Sequence, residues 1–273
     1  IARRQRQMCI RDREDIIKHV LAGIENHTKG SYELIIVIDG CTDNTEKVIL
    51  DYMKGSSLAN NLTIRYADNV FETKANNIGL KEAVGKYVII VQDDMVINEE
   101  GWNERLRKPF NAFDDVFAVT ARTAHNYVFN PNSPYIGMKE DIDTDWCNIV
   151  EPCDEANQSN IPRDVFAVRG TVNRGPLMIN LEDLKELNYL DEAFSPQDMD
   201  DHDLMFRMRK KLGKVCGCYW IDFVSDPSWG GTRKTGQTAP WLYKAQHKNC
   251  KIFYERNADV LEEYRIIEHR ELS

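Results

Sequence analysis

Leu34-Ile35-Ile36-Val37-Ile38 runs straight into Asp39-Gly40-Cys41-Thr42-Asp43-Asn44-Thr45. An unbroken apolar, β-branched run marks a parallel strand covered on both faces, and the abrupt change at Asp39-Gly40 is its carboxyl end. Downstream, Asp43 with Glu46 three residues on forms a capping-box pattern for a helix reaching about Met53. Upstream, Ile16, Ile17, Val20, Leu21 and Ile24 follow helical spacing and Gly30 stops that helix. A short strand at Leu62–Tyr66 follows, then a helix at Lys74–Val84 closed by Gly85. Tyr87–Val91 is a second buried run, ending in Gln92-Asp93-Asp94. This alternation over the first ~95 residues predicts a doubly wound α/β sheet.

The second half is less regular. A strand is expected at Phe117–Thr120 and another at Val215–Phe223, with helices at Leu181–Leu187 and Asp203–Leu212 and a final helix near Asp259–His269. Asn126–Arg163 mixes Pro, Asn and Asp with few periodic apolar positions and reads as a long structured loop, a kind that often carries function.

The chain has 273 residues, 35 Lys and Arg against 44 Asp and Glu, and a formal charge of −9, which disfavours a nucleic-acid backbone binder. At 42% hydrophobic and 29% charged it has the composition of an ordinary globular domain, and disordered or collagen-like classes drop out. No apolar run approaches the roughly 18 residues a membrane span needs, so peripheral contact is the only membrane association expected. The chain begins at Ile1 with no apolar leader pattern; upstream residues are expected to be missing or trimmed. Seven cysteines without C-x-x-C spacing suggest reduced thiols in a cytoplasmic setting, and the N-x-S/T triplets at Asn26, Asn61 and Asn157 shift that little.

Two acidic tips carry the chemistry. Asp39 and Asp43 follow the first buried strand, Asp93 and Asp94 the second, and open α/β sheets bind ligands at that edge. Hard carboxylate oxygens converging there suit magnesium or manganese clamping a diphosphate. For Asp43 the competing reading is a helix cap. For Asp93-Asp94 the adjacent charges repel unless something neutralises them.

These residues resemble the GT-A-fold glycosyltransferases, in particular the inverting family 2 type. Val37-Ile38-Asp39-Gly40-Cys41-Thr42-Asp43-Asn44-Thr45 is similar to V-V-D-D-G-S-T-D-x-T with one Asp absent. Ala75-Asn76-Asn77-Ile78-Gly79 through Tyr87 resembles A-R-N-x-G-x-x-x-A-x-G-x-Y. Gln92-Asp93-Asp94 falls at the D-x-D position with Gln for the first acid. Tyr189–Phe194 is similar to G-F-D-E-x-F, and Asp200-Asp201-His202-Asp203-Leu204 with Arg207 to E-D-x-D-L-x-x-R. The blocks span roughly Tyr32 to Leu212 in order. The family's V-I-I-P-x-Y-N first strand has no clear counterpart beyond Gln7-Met8-Cys9-Ile10.

The resemblance implies a GT-A-like, Rossmann-like mixed sheet over residues 1–225, with a nucleotide half at 1–94 and an acceptor half at 95–225, and a C-terminal extension at 226–273. It implies inverting transfer from a nucleotide sugar, a UDP-sugar first and a GDP-sugar second, to a glycan or lipid-linked acceptor, as in polysaccharide biosynthesis. Asp39 would contact the nucleoside, Asp94 would be the principal Mn2+ or Mg2+ ligand, and Asp93 would reach the donor ribose. Asp43, Lys74 and Asn77 would lie beside the donor. Asp201 would be the general base on the acceptor side, flanked by Asp200 and Asp203. The competing reading for these three is an acidic helix start favoured by the macrodipole. Trp229–Gly236, with glycines at 230, 231 and 236 and charge at Arg233 and Lys234, reads either as a lid over the diphosphate or as a passive loop.

Other patterns weigh less. Asp141-x-Asp143-x-Asp145 starts like a calcium loop but has Trp146 for Gly and Pro152 for the bidentate Glu. Cys216-Gly217-Cys218 reads as buried strand. His125, His202 and His247 read as surface or packing residues, with His247 or Trp229 a candidate contributor to the diphosphate site. No G-x-G-x-x-G or G-x-x-x-x-G-K-S/T occurs. The rival functions are a sugar nucleotidyltransferase, which should carry an early Gly-rich basic loop, and a catalytically silent sugar-nucleotide binder, suggested by Gln92.

Overall fold

The computed structural model describes residues 4–129, 138–141, 161–225, 229 and 240–272. The first half runs β1 (Arg4–Ile10), α1 (Ile17–His27), β2 (Tyr32–Asp39), α2 (Thr45–Met53), β3 (Leu62–Ala67), α3 (Phe71–Glu82) and β4 (Tyr87–Ile90). Next come β5 (Val96–Ile97), α4 (Trp102–Leu106), α5 (Lys108–Ala112), β6 (Val116–Thr120), β7 (Thr123–Phe129) and β8 (Met138–Asp141). They are followed by β9 (Val165–Arg169), β10 (Thr171–Asn173), β11 (Leu177–Asn180), α6 (Leu181–Glu186) and α7 (Asp200–Leu212). The chain closes with β12 (Val215–Cys218), β13 (Phe223–Val224), α8 (Pro240–Asn257) and β14 (Glu268–Glu271).

A nine-stranded mixed sheet in the order β14-β9-β12-β6-β11-β4-β1-β2-β3 forms the centre. Its β3-β2-β1-β4 part is parallel throughout, as the unbroken apolar runs require. Alternation along β2 divides the core. Leu34, Ile36 and Ile38 pack with Val20, Leu21 and Ile24 of α1 on one face, while Ile35 packs with Leu80 of α3 and Leu204 and Met205 of α7 on the other. β11 runs antiparallel between β4 and β6, with Leu177 opposite Ile90. The turn leading into β11 therefore stands beside the carboxyl end of β4.

Several expectations need correction. The first strand, marked in the sequence only at Gln7-Met8-Cys9-Ile10, is complete: β1 lies between β2 and β4, anchored by the fully buried Met8 and Ile10, and its polar start hides the rest from periodicity. The loop expected from Asn126 is strand at its outset, because β7 pairs with β8 and β10 in a separate sheet; residues 142–160 lie outside the described residues. The strand at Val215–Phe223 is two strands in different sheets. The final helix is not at Asp259–His269: α8 precedes it, and Glu268–Glu271 pair with β9 as the sheet's last strand. The tail is thereby part of the main sheet. Cys41, Cys216, Cys218 and Cys250 are free thiols, and no described helix is long and apolar enough to cross a membrane.

Candidate active site

The parallel strands deliver their carboxyl ends to one edge. After β1 the chain turns through Arg11, Asp12 and Arg13. The Arg13 side chain is 6% exposed and its Nε lies 3.0 Å from Asp93 Oδ1, while the Arg11 backbone N–H donates to Asp93 Oδ2 at 3.2 Å. Burial pushes the Asp93 carboxyl up, Arg13 opposes and the Asp94 charge adds, leaving it at about 6. Asp93 is thus fixed by the β1 turn. Asp94 beside it is buried, and its Oδ1 has no hydrogen-bond partner. A buried, unsatisfied carboxylate oxygen is costly alone and suits a hard divalent cation.

Asp39, expected to contact a nucleoside, is bonded within the fold. It is 1% exposed, and its two oxygens accept the backbone N–H groups of Val70 and Phe71, each at 2.8 Å. These bonds clasp the turn before α3, where Asn69 and Phe71 take left-handed backbone conformations at φ 53° and 63°. The clasp also accounts for the family's missing second Asp. Gly40 sits at φ +60°, and a Cβ there would stand 2.7 Å from Asn69 Oδ1.

Asp43 accepts from the backbone N–H groups of Thr45 at 2.9 Å and Glu14 at 3.1 Å. Although burial raises its carboxyl, bonds from Thr45 and Glu14 leave it lowered. The capping box is not formed: Asn44 holds the cap position but its side-chain amide donates to Glu14 at 2.8 Å instead of capping, and Glu46 accepts from the Tyr66 hydroxyl at 2.9 Å. Among the described residues, Asp12, Cys41 and Asp43 bring metal-capable ligand atoms within 4.8 Å of one another. Their atoms are largely engaged, with Asp12 Oδ1 accepting the Thr42 N–H at 2.7 Å and burial pushing the Cys41 thiol up to about 11. Asp94 Oδ1, by contrast, has no hydrogen-bond partner.

Asn77 is bonded to the scaffold. Its amide donates to the Leu190 carbonyl at 2.9 Å and accepts the Leu190 N–H at 3.1 Å, tying α3 to the loop before α7. Asp203 is likewise committed, to Arg207 at 2.6 Å and Arg256 at 3.2 Å. Lys74 is exposed on α3. Arg233 and most of the proposed lid lie outside the described residues; Trp229 is half-buried against the main core.

Across the sheet edge α7 starts with Asp200 and Asp201, both buried, after Asp198 and Met199 in left-handed conformations at φ 69° and 67°. Arg174, in the turn before β11, was not legible from the motifs and is the hub here. Its guanidinium bonds Asp200, lies 3.4 Å from Asp201 Oδ2 and 3.3 Å from Glu72 Oε1, and its backbone N–H donates to Asp201 at 3.0 Å. Glu72 accepts from Gln92 Nε2 at 3.3 Å, and Gln92 Oε1 accepts from Arg122 at 3.1 Å. His202 takes the packing alternative of its expected reading and is buried. It sits between Asn173 Oδ1 at 2.8 Å and the Tyr127 hydroxyl at 2.6 Å, and His125 shares the same Asn173 oxygen at 3.0 Å. Burial pushes the Asp201 carboxyl up, but His202 and Arg174 outweigh it and the net shift is downward. A continuous series of contacts thus joins the tip of β4 to the start of α7.

A parallel nucleotide-type half, an antiparallel strand at its border and two carboxylate centres at one edge define the GT-A glycosyltransferase fold. The sequence at residues 8–170 matches the model of the family described as Glycosyl transferase family 2, and the chain belongs to that family. Curated protein sequences gave no significant match. Among solved structures, S. aureus TarS 1-349 in complex with UDP-GlcNAc is similar at TM-score 0.58 and 14% identity, over 89% of this chain and 64% of that one. The same protein in complex with UDP gives 0.53 and 14%, over 83% and 62%. GalNAc-T7 with UDP, GalNAc and Mn2+ gives 0.62 and 11%, over 97% and 58%. The chain therefore spans about three-fifths of the length of these chains, and at such identities the likeness is one of fold.

Proposed function

We propose that the protein transfers a sugar from a nucleotide-sugar donor, a UDP-sugar in preference to a GDP-sugar, to a hydroxyl of a glycan or lipid-linked acceptor with inversion. The observation that carries this is the pair of carboxylate centres, Asp93-Asp94 with Asp94 buried and Asp200-Asp201 both buried, joined across the sheet edge by Gln92, Glu72 and Arg174. Family membership and the UDP and UDP-sugar complexes of similar folds support the donor class.

Asp94 is the residue that would hold a Mn2+ or Mg2+ ion, and the Mn2+ of GalNAc-T7 supports a divalent cation. When bound, such an ion neutralises the charge that grows on the leaving diphosphate. Asp93, fixed by Arg13 and the Arg11 amide, lies next to Asp94 to receive the donor ribose. Asp201, kept ionised by Arg174 and His202, takes the acceptor hydroxyl's proton as that oxygen attacks the anomeric carbon. Attack opposite the leaving group inverts that carbon.

A thermal-shift panel of UDP, UDP-N-acetylglucosamine, GDP, CDP and TDP, each with and without manganese, tests this reading. The expected result is stabilisation by the uridine compounds that grows with manganese. Absence of stabilisation by any nucleotide would count against a nucleotide-sugar site altogether.

A further inference from the structure

Resting on Asp201 as the base of the proposed transfer, we infer that Arg174 is the positioning residue of that base. It orients the Asp201 carboxylate and, through Glu72 and Gln92, couples it to the tip of β4.

Arg174 is 5% exposed. It grips Asp201 Oδ2 by two groups at once, the backbone N–H at 3.0 Å and the side-chain Nε at 3.4 Å, which fixes the carboxylate's position as well as its charge. A hydrogen bond to Asp200 and the 3.3 Å approach to Glu72 Oε1 use the rest of the guanidinium. The turn that carries it passes close to the β4 tip through a glycine in a conformation other residues rarely adopt. Gly175 stands at φ +120°, where a Cβ would meet Met95 Cε at 2.1 Å and Gln92 Oε1 at 2.8 Å. Arg174 is thereby pressed against the β4 tip by the same antiparallel entry that aligns Leu177 with Ile90.

The charges around Asp201 show what the guanidinium does. Arg174 faces it from the turn, Glu72 from α3 and Asp198 from the preceding loop, while Asp200 and His202 flank it on α7. Four carboxylates therefore surround one permanently charged group and one titratable imidazole. With the guanidinium gone, burial and mutual repulsion would place protons on these carboxylates, Asp201 among them, and a protonated carboxyl is no base. Gln92 fits the same design. Its amide donates to Glu72 and accepts from Arg122, which a carboxylate at that position has no proton to do.

The test follows the Asp201 carboxyl carbon by NMR in protein labelled at aspartate, assigned by its loss in Asp201→Asn, in wild type, Arg174→Gln, Arg174→Lys and Glu72→Gln. Arg174→Gln should move the Asp201 titration above the ordinary aspartate range, and Arg174→Lys should restore most of the wild-type position. Glu72→Gln, which removes a competitor for the guanidinium, should move it down. On the same samples, the acid limb of UDP-N-acetylglucosamine hydrolysis should move upward in Arg174→Gln, with about a tenfold rate loss per pH unit below the new limb. UDP affinity should be unchanged. A purely structural Arg174 would lower melting temperature and leave both titrations in place. An Asp201 titration unmoved in both Arg174→Gln and Glu72→Gln overturns the proposal. If the carboxyl titration moves while the acid limb of the rate stays put, Asp201 is not the base, and that assignment falls instead.

Discussion

Replacing Asp39 by Asn tests whether this residue organises the turn before α3. The wild-type carboxylate accepts two backbone N–H bonds of 2.8 Å at a site 1% exposed. An amide of the same shape keeps one acceptor oxygen and presents N–H to the second backbone donor. The loss is one charge-assisted hydrogen bond, about 1.5–3 kcal/mol, and one buried donor left unpaired, about 1–3 kcal/mol. A central value of about 4 kcal/mol is expected, aggravated because Asn69 and Phe71 must hold left-handed conformations without the clasp. At about 2–3 °C per kcal/mol for a chain of this size, the melting temperature should fall by roughly 8–12 °C. Differential scanning calorimetry without ligand measures it, and UDP affinity should drop with and without manganese because the turn beside the nucleotide half loosens. A variant melting within about 2 °C of wild type would refute the clasp and return Asp39 to direct nucleoside contact.

Asn77→Ala should destabilise by about 2–4 kcal/mol, since it strands the buried N–H and C=O of Leu190, and leave UDP affinity nearly intact; a large affinity loss at unchanged stability would restore Asn77 to the donor site. Asp93 has a folded-state value of about 6, above the ordinary aspartate value, so the folded protein binds the extra proton between roughly pH 4 and 6 and metal-free stability contributed by this group falls as pH rises through that window. Asp93→Asn should remove that downward component, visible as a more positive change in melting temperature from pH 4.5 to 6.5; identical slopes would mean the carboxyl is not raised. Asp201→Asn should lower transfer to acceptor by ~100-fold while donor affinity stays close to wild type, and full retained activity would move the base elsewhere.

The apolar runs at Leu34–Ile38 and Tyr87–Val91 made the parallel part of the sheet legible, because a strand buried on both faces writes its environment into every residue. β1 was legible only at Gln7–Ile10, since only Met8 and Ile10 advertise burial and its place in the sheet is set by its partners. α8 and β14 were misread for a related reason. The final strand is defined by pairing with β9, a tertiary choice that the charged sequence Glu268–Glu271 does not encode. In the site, short acidic motifs marked Asp93, Asp94 and Asp201, which the structure joins through Gln92, Glu72 and Arg174. Motif position did not separate residues facing a ligand from residues holding the scaffold: Asp39, Asn77 and Asp203 all lie in matching blocks and all spend their polar atoms on the fold. Arg174, Glu72 and His202 escaped because their partners are distant in sequence, Arg174 standing 102 positions from Glu72 and meeting it only when β11 enters beside β4. The one local signal for that turn was Gly175, whose need for a missing Cβ is visible only in three dimensions.

The most direct measurement is isothermal calorimetry of UDP binding to wild type and Asp94→Asn, each with and without Mn2+. A cation held by the orphaned Asp94 oxygen predicts that manganese tightens UDP binding to wild type by at least about tenfold, equivalent to about 1.4 kcal/mol, and that Asp94→Asn keeps the manganese-free affinity while losing the manganese-dependent gain. Equal manganese dependence in the two proteins, or no UDP binding by wild type under either condition, would contradict a metal-assisted nucleotide-sugar site at this edge of the sheet.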